Sequence, residues 1–348
     1  MKDPNYVELV KWLSTIRIEF SVHNDELEKI LEAFDANLNR APQLALFPVL
    51  TVKMAKLTQL IRDVARMNLF GSVISETADD AETTQKIQVE MKRIGEDVVA
   101  NRVPVSGISE YEMGAIAISS YIETSPHVRK GLDAIFSGVL INMWTAFESL
   151  ATDLWVKAVD LRPESLGESA LMAPRKKMED EINQSILPVD TGDTDEAKLK
   201  VDHISMNLIR DYGYSLRHSM GRMIKKTRKF GFNKLHDIKH AYSSAFGKAV
   251  IADVFSGESC DQLNLLEAIR HVVVHRGGRI DSTFLQRVKD KDKYPEFSFA
   301  QPDDLLELDA ALVRRCMDGG TESSRKLLAF VDDWLTKNPG KHCGKKED

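Results

Sequence analysis

Residues 263–281 read LNLLEAIRHVVVHRGGRID, a stretch that sets Arg270, His271 and His275 beside three valines and ahead of two glycines. Three kinds of chemistry are open to these residue types. Histidine moves protons near neutral pH, and arginine holds negative charge with a planar fork, which together suit acid–base work. His271 and His275 are four apart, as are His236 and His240, a spacing that sets two imidazoles on one helix face for zinc. The third reading is structural, with a Glu267–Arg270 ion pair on a helix surface and a histidine that caps the last turn.

The local pattern favours a helix over a hairpin. At 100° per residue, Leu265, Leu266, Ile269, Val272 and Val273 fall within an arc of about 120°, the stripe that an amphipathic helix buries. Gly277 and Gly278 suit a left-handed C-cap. Glu267, His271 and His275 cluster opposite the stripe, with Asn264 among them. Arg270 lies about 140° from His275 on this wheel, so the spacing predicts poor partners within one helix and good partners across a two-fold dimer. The negative end of the helix dipole favours protonated His275. Against zinc, the glutamate inside HExxH is absent and no cysteine pair assists, so no metal or other cofactor is expected.

The elements that must position this stretch are helical by spacing. Runs at 6–20, 24–38 (with Asn24 or Asp25 as N-cap), 46–69 and 80–103 all repeat apolar residues three and four apart. Residues 131–159 read as one long buried helix carrying Trp144, Phe147 and Trp155. A charged stretch with several prolines at 161–200 reads as a long loop with one short helix. Further helices are expected over 203–226, 235–247, 303–317 and 321–337, and only EFSFA, 296–300, reads as a strand. The expectation is an all-α chain: an N-terminal helical region at 1–105, a second helical domain at 106–337 and a flexible tail at 338–348.

Composition narrows the function classes. The chain has 348 residues, 43% hydrophobic and 29% charged, with a net charge of −6, which speaks against coating nucleic acid by bulk electrostatics. Residues 203–250 nevertheless hold ten Lys or Arg against two acids, a local +8 that leaves −14 for the remainder. Three widely spaced cysteines encode neither a disulfide framework nor a CxxC site. The longest apolar run without a charge, 134–147, falls short of the ~20 residues of a membrane span. No secretory signal opens the chain. A cytoplasmic protein without a membrane segment is expected.

Taken together, LLEAIRHVVVHRGGRID and the upstream VLINMWTAFESLATDLW resemble the late and early helices of large HEPN-superfamily proteins grouped with a RiboL-PSP-type HEPN domain. The likeness covers about residues 110–335. A second Arg-to-His match, Arg17 to His23, lacks the glycine cap and the surrounding pattern. The resemblance implies a HEPN-like helical bundle and a metal-independent endoribonuclease of bacterial stress response, toxin–antitoxin or phage defence. Arg270 and His275 would be the catalytic pair, His271 would stand where Asn is more frequent, and Glu267 would orient Arg270 or the histidines. The RNA's own 2′-hydroxyl would attack the adjacent phosphate, leaving 2′,3′-cyclic phosphate and 5′-hydroxyl ends. Arg222, Lys225, Lys226, Arg228, Lys229 and Arg276 would hold RNA backbone. A homodimer and an antitoxin or regulatory protein are the implied partners. Gly277 stands where partner-controlled toxins of this family carry Tyr, so control by tyrosine adenylylation is not implied. Two rival readings are a noncatalytic HEPN scaffold that binds RNA or a protein, and a metal-dependent hydrolase built on the histidine pairs.

Overall fold

The computed structural model describes residues 5–15, 20–73, 80–99, 115, 118–119, 125–172 and 219–339. Over these the protein is all-α. The helices are α1 (Asn5–Thr15), α2 (Glu28–Leu38), α3 (Arg40–Phe70), α4 (Ala81–Val99), α5 (Pro126–Leu161), α6 (Glu168–Met172), α7 (Met220–Arg228), α8 (Leu235–Phe246), α9 (Lys248–Val254), α10 (Gly257–Arg276), α11 (Ser282–Arg287) and α12 (Ala310–Lys337). The boundary expected near residue 105 and most of the expected helix at 203–226 lie outside the described residues.

Contacts divide the chain into two discontinuous units. The first joins residues 1–18, 39–139 and 307–314. Within it α3 and α4 pack around Ala65, Ile87 and Ile94, and Tyr6 of α1 meets Phe136 of α5 with ring centroids 6.2 Å apart. Along α3, Phe47, Met54 and Leu60 are exposed. By length and composition alone, Asp25–Phe70 and Pro126–Leu161 are apolar enough to cross a membrane, but half of the second span's apolar window is buried in the protein.

The second unit joins residues 19–38, 140–306 and 315–348, and it carries the candidate site. Its core forms on the second half of α5. Trp155 is fully buried, gives its indole N–H to the Ala241 carbonyl of α8 at 2.9 Å, and meets Phe230 and Phe232 edge-on. Tyr242 of α8 donates to the Ala151 carbonyl at 2.8 Å, so both polar aromatic atoms are satisfied inside the core. Gly221 lets α7 approach the α5 backbone, where an added Cβ would lie 2.3 Å from the Val156 carbonyl oxygen.

Residues 303–337 depart from the expected pair of helices. Residues 303–309 are not helical, and α12 then runs unbroken through Gly319 and Gly320. The glycines are not a break but a close approach. A Cβ on Gly320 would meet the Met143 side chain at 2.7 Å, and one on Gly319 would meet Gln262 Cβ of α10 at 2.2 Å. We expect Gly319→Ala to cost about 1–3 kcal/mol through overpacking, more than the roughly 1 kcal/mol that alanine gains over glycine in a helix. A melting temperature equal to or above wild type would show that α12 steps away from α10 without cost.

EFSFA is not a strand. Pro295–Phe297 forms a 3₁₀ turn, Phe297 packs on Phe284 at 5.1 Å, and Phe299 is 91% exposed, so the alternation does not define a buried face. Among the described residues, strand-like pairing occurs instead as an antiparallel bridge between Arg279 and Leu305. The Ile280 N–H donates to the Asp304 carbonyl at 2.9 Å and the Leu306 N–H to the Gly278 carbonyl at 2.8 Å, which pins the chain just beyond α10.

Candidate functional site

Helix α10 buries Leu265, Leu266, Ile269 and Val272 and half-buries Val273, as the stripe demands, whereas Val274 is exposed and adds nothing to the core. Gly277 ends the helix at φ +60°, with the N–H groups of Gly277 and Gly278 directed at the Val272 carbonyl. Asp281 then caps α11 by accepting from the Phe284 N–H at 2.8 Å. A tight turn thus holds α10 and α11 together at the end where His275 is exposed.

Arg270 and His275 meet within one chain, which corrects the expectation from the helical wheel. Arg270 Nη1 lies 3.4 Å from His275 Nε2. The wheel fixes where Cα–Cβ bonds point, but the long arginine side chain reaches along the helix surface toward the C-terminus and closes the 140° between them. Arginine can only donate, so Nε2 of His275 accepts and a neutral His275 carries its proton on Nδ1. The His271 and His275 rings are 5.0 Å apart and tilted by 50°.

His271 is half-buried, and its pKa is lowered from 6.5. Burial is the main cause, followed by the neighbouring His275, with smaller contributions from Arg287 and Arg270; Asp281 opposes them. The shift favours the neutral imidazole.

Glu267 does not orient Arg270. It is 8% exposed and pairs with Arg287 of α11, Oε1 to Nη1 at 3.1 Å, an arrangement that ties α11 to α10. Arg287 carries no mark in the sequence, because nothing in residues 282–287 singles out that arginine as the partner of a carboxylate 20 positions earlier. Arg276 lies 3.8 Å from the Asp281 carboxylate.

The basic run is not a uniform solvated face. Arg222, Lys226 and Lys229 are exposed, but Lys225 lies over the Phe232 ring at 4.8 Å and Arg228 over the Phe230 ring at 5.7 Å while donating to the Leu171 carbonyl. Burial lowers the Lys225 pKa, partly offset by Asp153 and Glu148.

Among the described residues, no group of three or more His, Cys, Asp or Glu is placed to hold a metal ion. The four-histidine site does not assemble: His240 packs edge-on against Phe230, and His236 lies 3.4 Å from Asp237. The Arg17 to His23 match has its histidine fastened elsewhere. Buried Asp332 accepts from the His23 backbone N–H and ring Nδ1, both at 2.8 Å, and from the Asn24 N–H at 2.9 Å. Arg17 lies outside the described residues. No protein-family model, curated protein or solved structure matches the chain.

Proposed function

We propose that the chain is a metal-independent endoribonuclease of HEPN type that works at the C-terminal end of α10, in bacterial stress response, toxin–antitoxin or phage defence. The observation that carries this reading is the contact of Arg270 with His275 at 3.4 Å, with a second imidazole, His271, alongside. Arginine and two histidines with one exposed face are the groups that in-line attack by a 2′-hydroxyl requires.

In the proposed step the substrate phosphate enters between Arg270 and His275 and replaces their contact. Neutral His271 takes the 2′-hydroxyl proton. The 2′-oxygen bonds to phosphorus as the bond to the 5′-oxygen breaks. Once the phosphate has displaced the Arg270 contact, Nε2 of His275 takes up a proton from solvent and gives it to that leaving oxygen, and Arg270 holds the charge that grows on the nonbridging oxygens. The products are a 2′,3′-cyclic phosphate and a 5′-hydroxyl. The residues do this without a cofactor, in the cytoplasm, with RNA as substrate, and a homodimer and a regulatory protein or antitoxin remain the proposed partners. Since Arg270 and His275 already meet in one chain, a dimer is not needed to join them.

The role of His271 is testable by pH. A base must be neutral to act, so a lowered pKa keeps His271 competent at more acidic pH than a free imidazole. We expect the acid limb of kcat/KM to have its midpoint below 6.5 and to disappear in His271→Asn, with a loss of about 10²-fold at pH 7. An acid limb that persists in His271→Asn would remove His271 from the base role. RNA that binds in EDTA without ever being cut would favour the noncatalytic scaffold.

A further inference from the structure

N-terminal to His271 along α10, a cleft of about 440 Å³ opens between α8, α10, α11 and residues 289–294. Its charge is unbalanced in a protein that is acidic overall. Five cations line it against three carboxylates, and two of the cations are neutralised locally: Arg287 by Glu267 at 3.1 Å and Lys293 by Asp261 at 2.9 Å. The third carboxylate, Asp290, accepts backbone N–H groups of its own turn, from Asp292 at 3.2 Å and Lys293 at 3.4 Å.

Lys234, Lys239 and Lys289 are left without a carboxylate partner among the described residues. Lys239 is half-buried, with its Nζ donating to Cys260 Sγ at 3.2 Å and lying 5.5 Å from the centre of the Phe255 ring, which fixes the position of its charge at the cleft. An ammonium has three donors, so N–H groups remain for an anion.

The cleft and the histidines lie on one track. Asn264 and Glu267 line the cleft from the α10 face that continues to His271 and His275. At 1.5 Å of rise per residue, Asn264 and His271 are roughly 10 Å apart along the axis, on the order of one or two nucleotide steps of a single strand. Arg287 belongs to both places, since it lines the cleft and its charge acts on His271.

We propose that this cleft binds the backbone phosphate of a single-stranded polynucleotide, one or two nucleotides from the phosphate held at Arg270, His271 and His275, through Lys234, Lys239 and Lys289. The proposal rests on the ribonuclease reading for the position of the strand, but not for the chemistry of the cleft. It adds a binding site in which the expected basic run, Arg222 to Lys229, takes no part.

The test uses the full chain and a fluorescent 2′-O-methyl RNA oligonucleotide, which binds but cannot be cleaved. Lys234→Ala/Lys289→Ala removes two exposed charges without touching the core. Its affinity by fluorescence anisotropy should fall about tenfold, and the slope of log K against log salt should shrink by about 1.4. Lys239→Met keeps the side chain's bulk over Phe255 and should weaken binding further. Unchanged affinity and slope in both variants would overturn the proposal, even if wild type cuts unmodified RNA and the ribonuclease reading stands. Conversely, lysine-dependent binding by a protein that never cuts RNA would keep the cleft and remove the ribonuclease. AMP binding there as tightly as the oligonucleotide would overturn the strand in favour of a free nucleotide.

Discussion

Replacing His275 or Arg270 with alanine is expected to lower kcat/KM for RNA cleavage by about 10²–10⁴-fold while leaving the fold intact. Both effects follow from position. His275 is exposed at the end of α10, and Arg270 is half-buried with its fork directed at His275, so neither truncation opens a cavity and stability should move by no more than about 0.5 kcal/mol. The two losses should not add, because in the proposed step both groups bind the same phosphate. The double variant should be about as inactive as the worse single one. Mixing Arg270→Ala with His275→Ala subunits should restore nothing, since each chain carries its own pair. Recovery in proven mixed dimers would show that the functional pair is formed between chains.

Trp155→Ala is expected to cost about 3–5 kcal/mol of the stability of the second unit, read as a lower denaturation midpoint with an unchanged slope. The side chain is fully buried, its indole N–H satisfies the Ala241 carbonyl, and it fills the space between Phe230 and Phe232. Those same rings lie beneath the charged heads of Lys225 and Arg228. A loss under about 1 kcal/mol would show that this aromatic cluster collapses easily onto the smaller residue. Trp155→Phe should recover most of the packing but not the hydrogen bond, so it should fall between the two.

The second unit was legible where local pattern and tertiary demand agree. In α10 the apolar arc and the Gly277 cap are both written in neighbouring residues, and α5 announces itself by length and by its tryptophans. What sequence periodicity could not carry was reach and distance. A helical wheel assigns directions to Cβ atoms, and it separated Arg270 from His275 although a long side chain brings them to 3.4 Å. It also offered Glu267 as a neighbour of Arg270, whereas the carboxylate is taken by Arg287 from the next helix.

Two other misreadings share a cause. Gly319 and Gly320 look like a helix break in sequence, but they exist because α10 and α5 come too close for a Cβ. EFSFA alternates like a strand, but Pro295 starts a 3₁₀ turn there and no neighbouring strand pairs with it among the described residues. The cleft was invisible for the same reason, since Lys234, Lys239 and Lys289 are spread over 56 positions of a chain in which lysines are common. Only the packing of α8 and α11 on α10 gathers them.

In the proposed reaction Arg270, His271 and His275 cleave RNA without a metal. Its most direct test is the end chemistry of RNA incubated in EDTA with the wild-type protein and with His275→Ala, read by mass spectrometry of the fragments. Wild type should leave 2′,3′-cyclic phosphate and 5′-hydroxyl ends, and the variant should leave the RNA intact. Fragments with 5′-phosphate ends, or equal cleavage by His275→Ala, would contradict it.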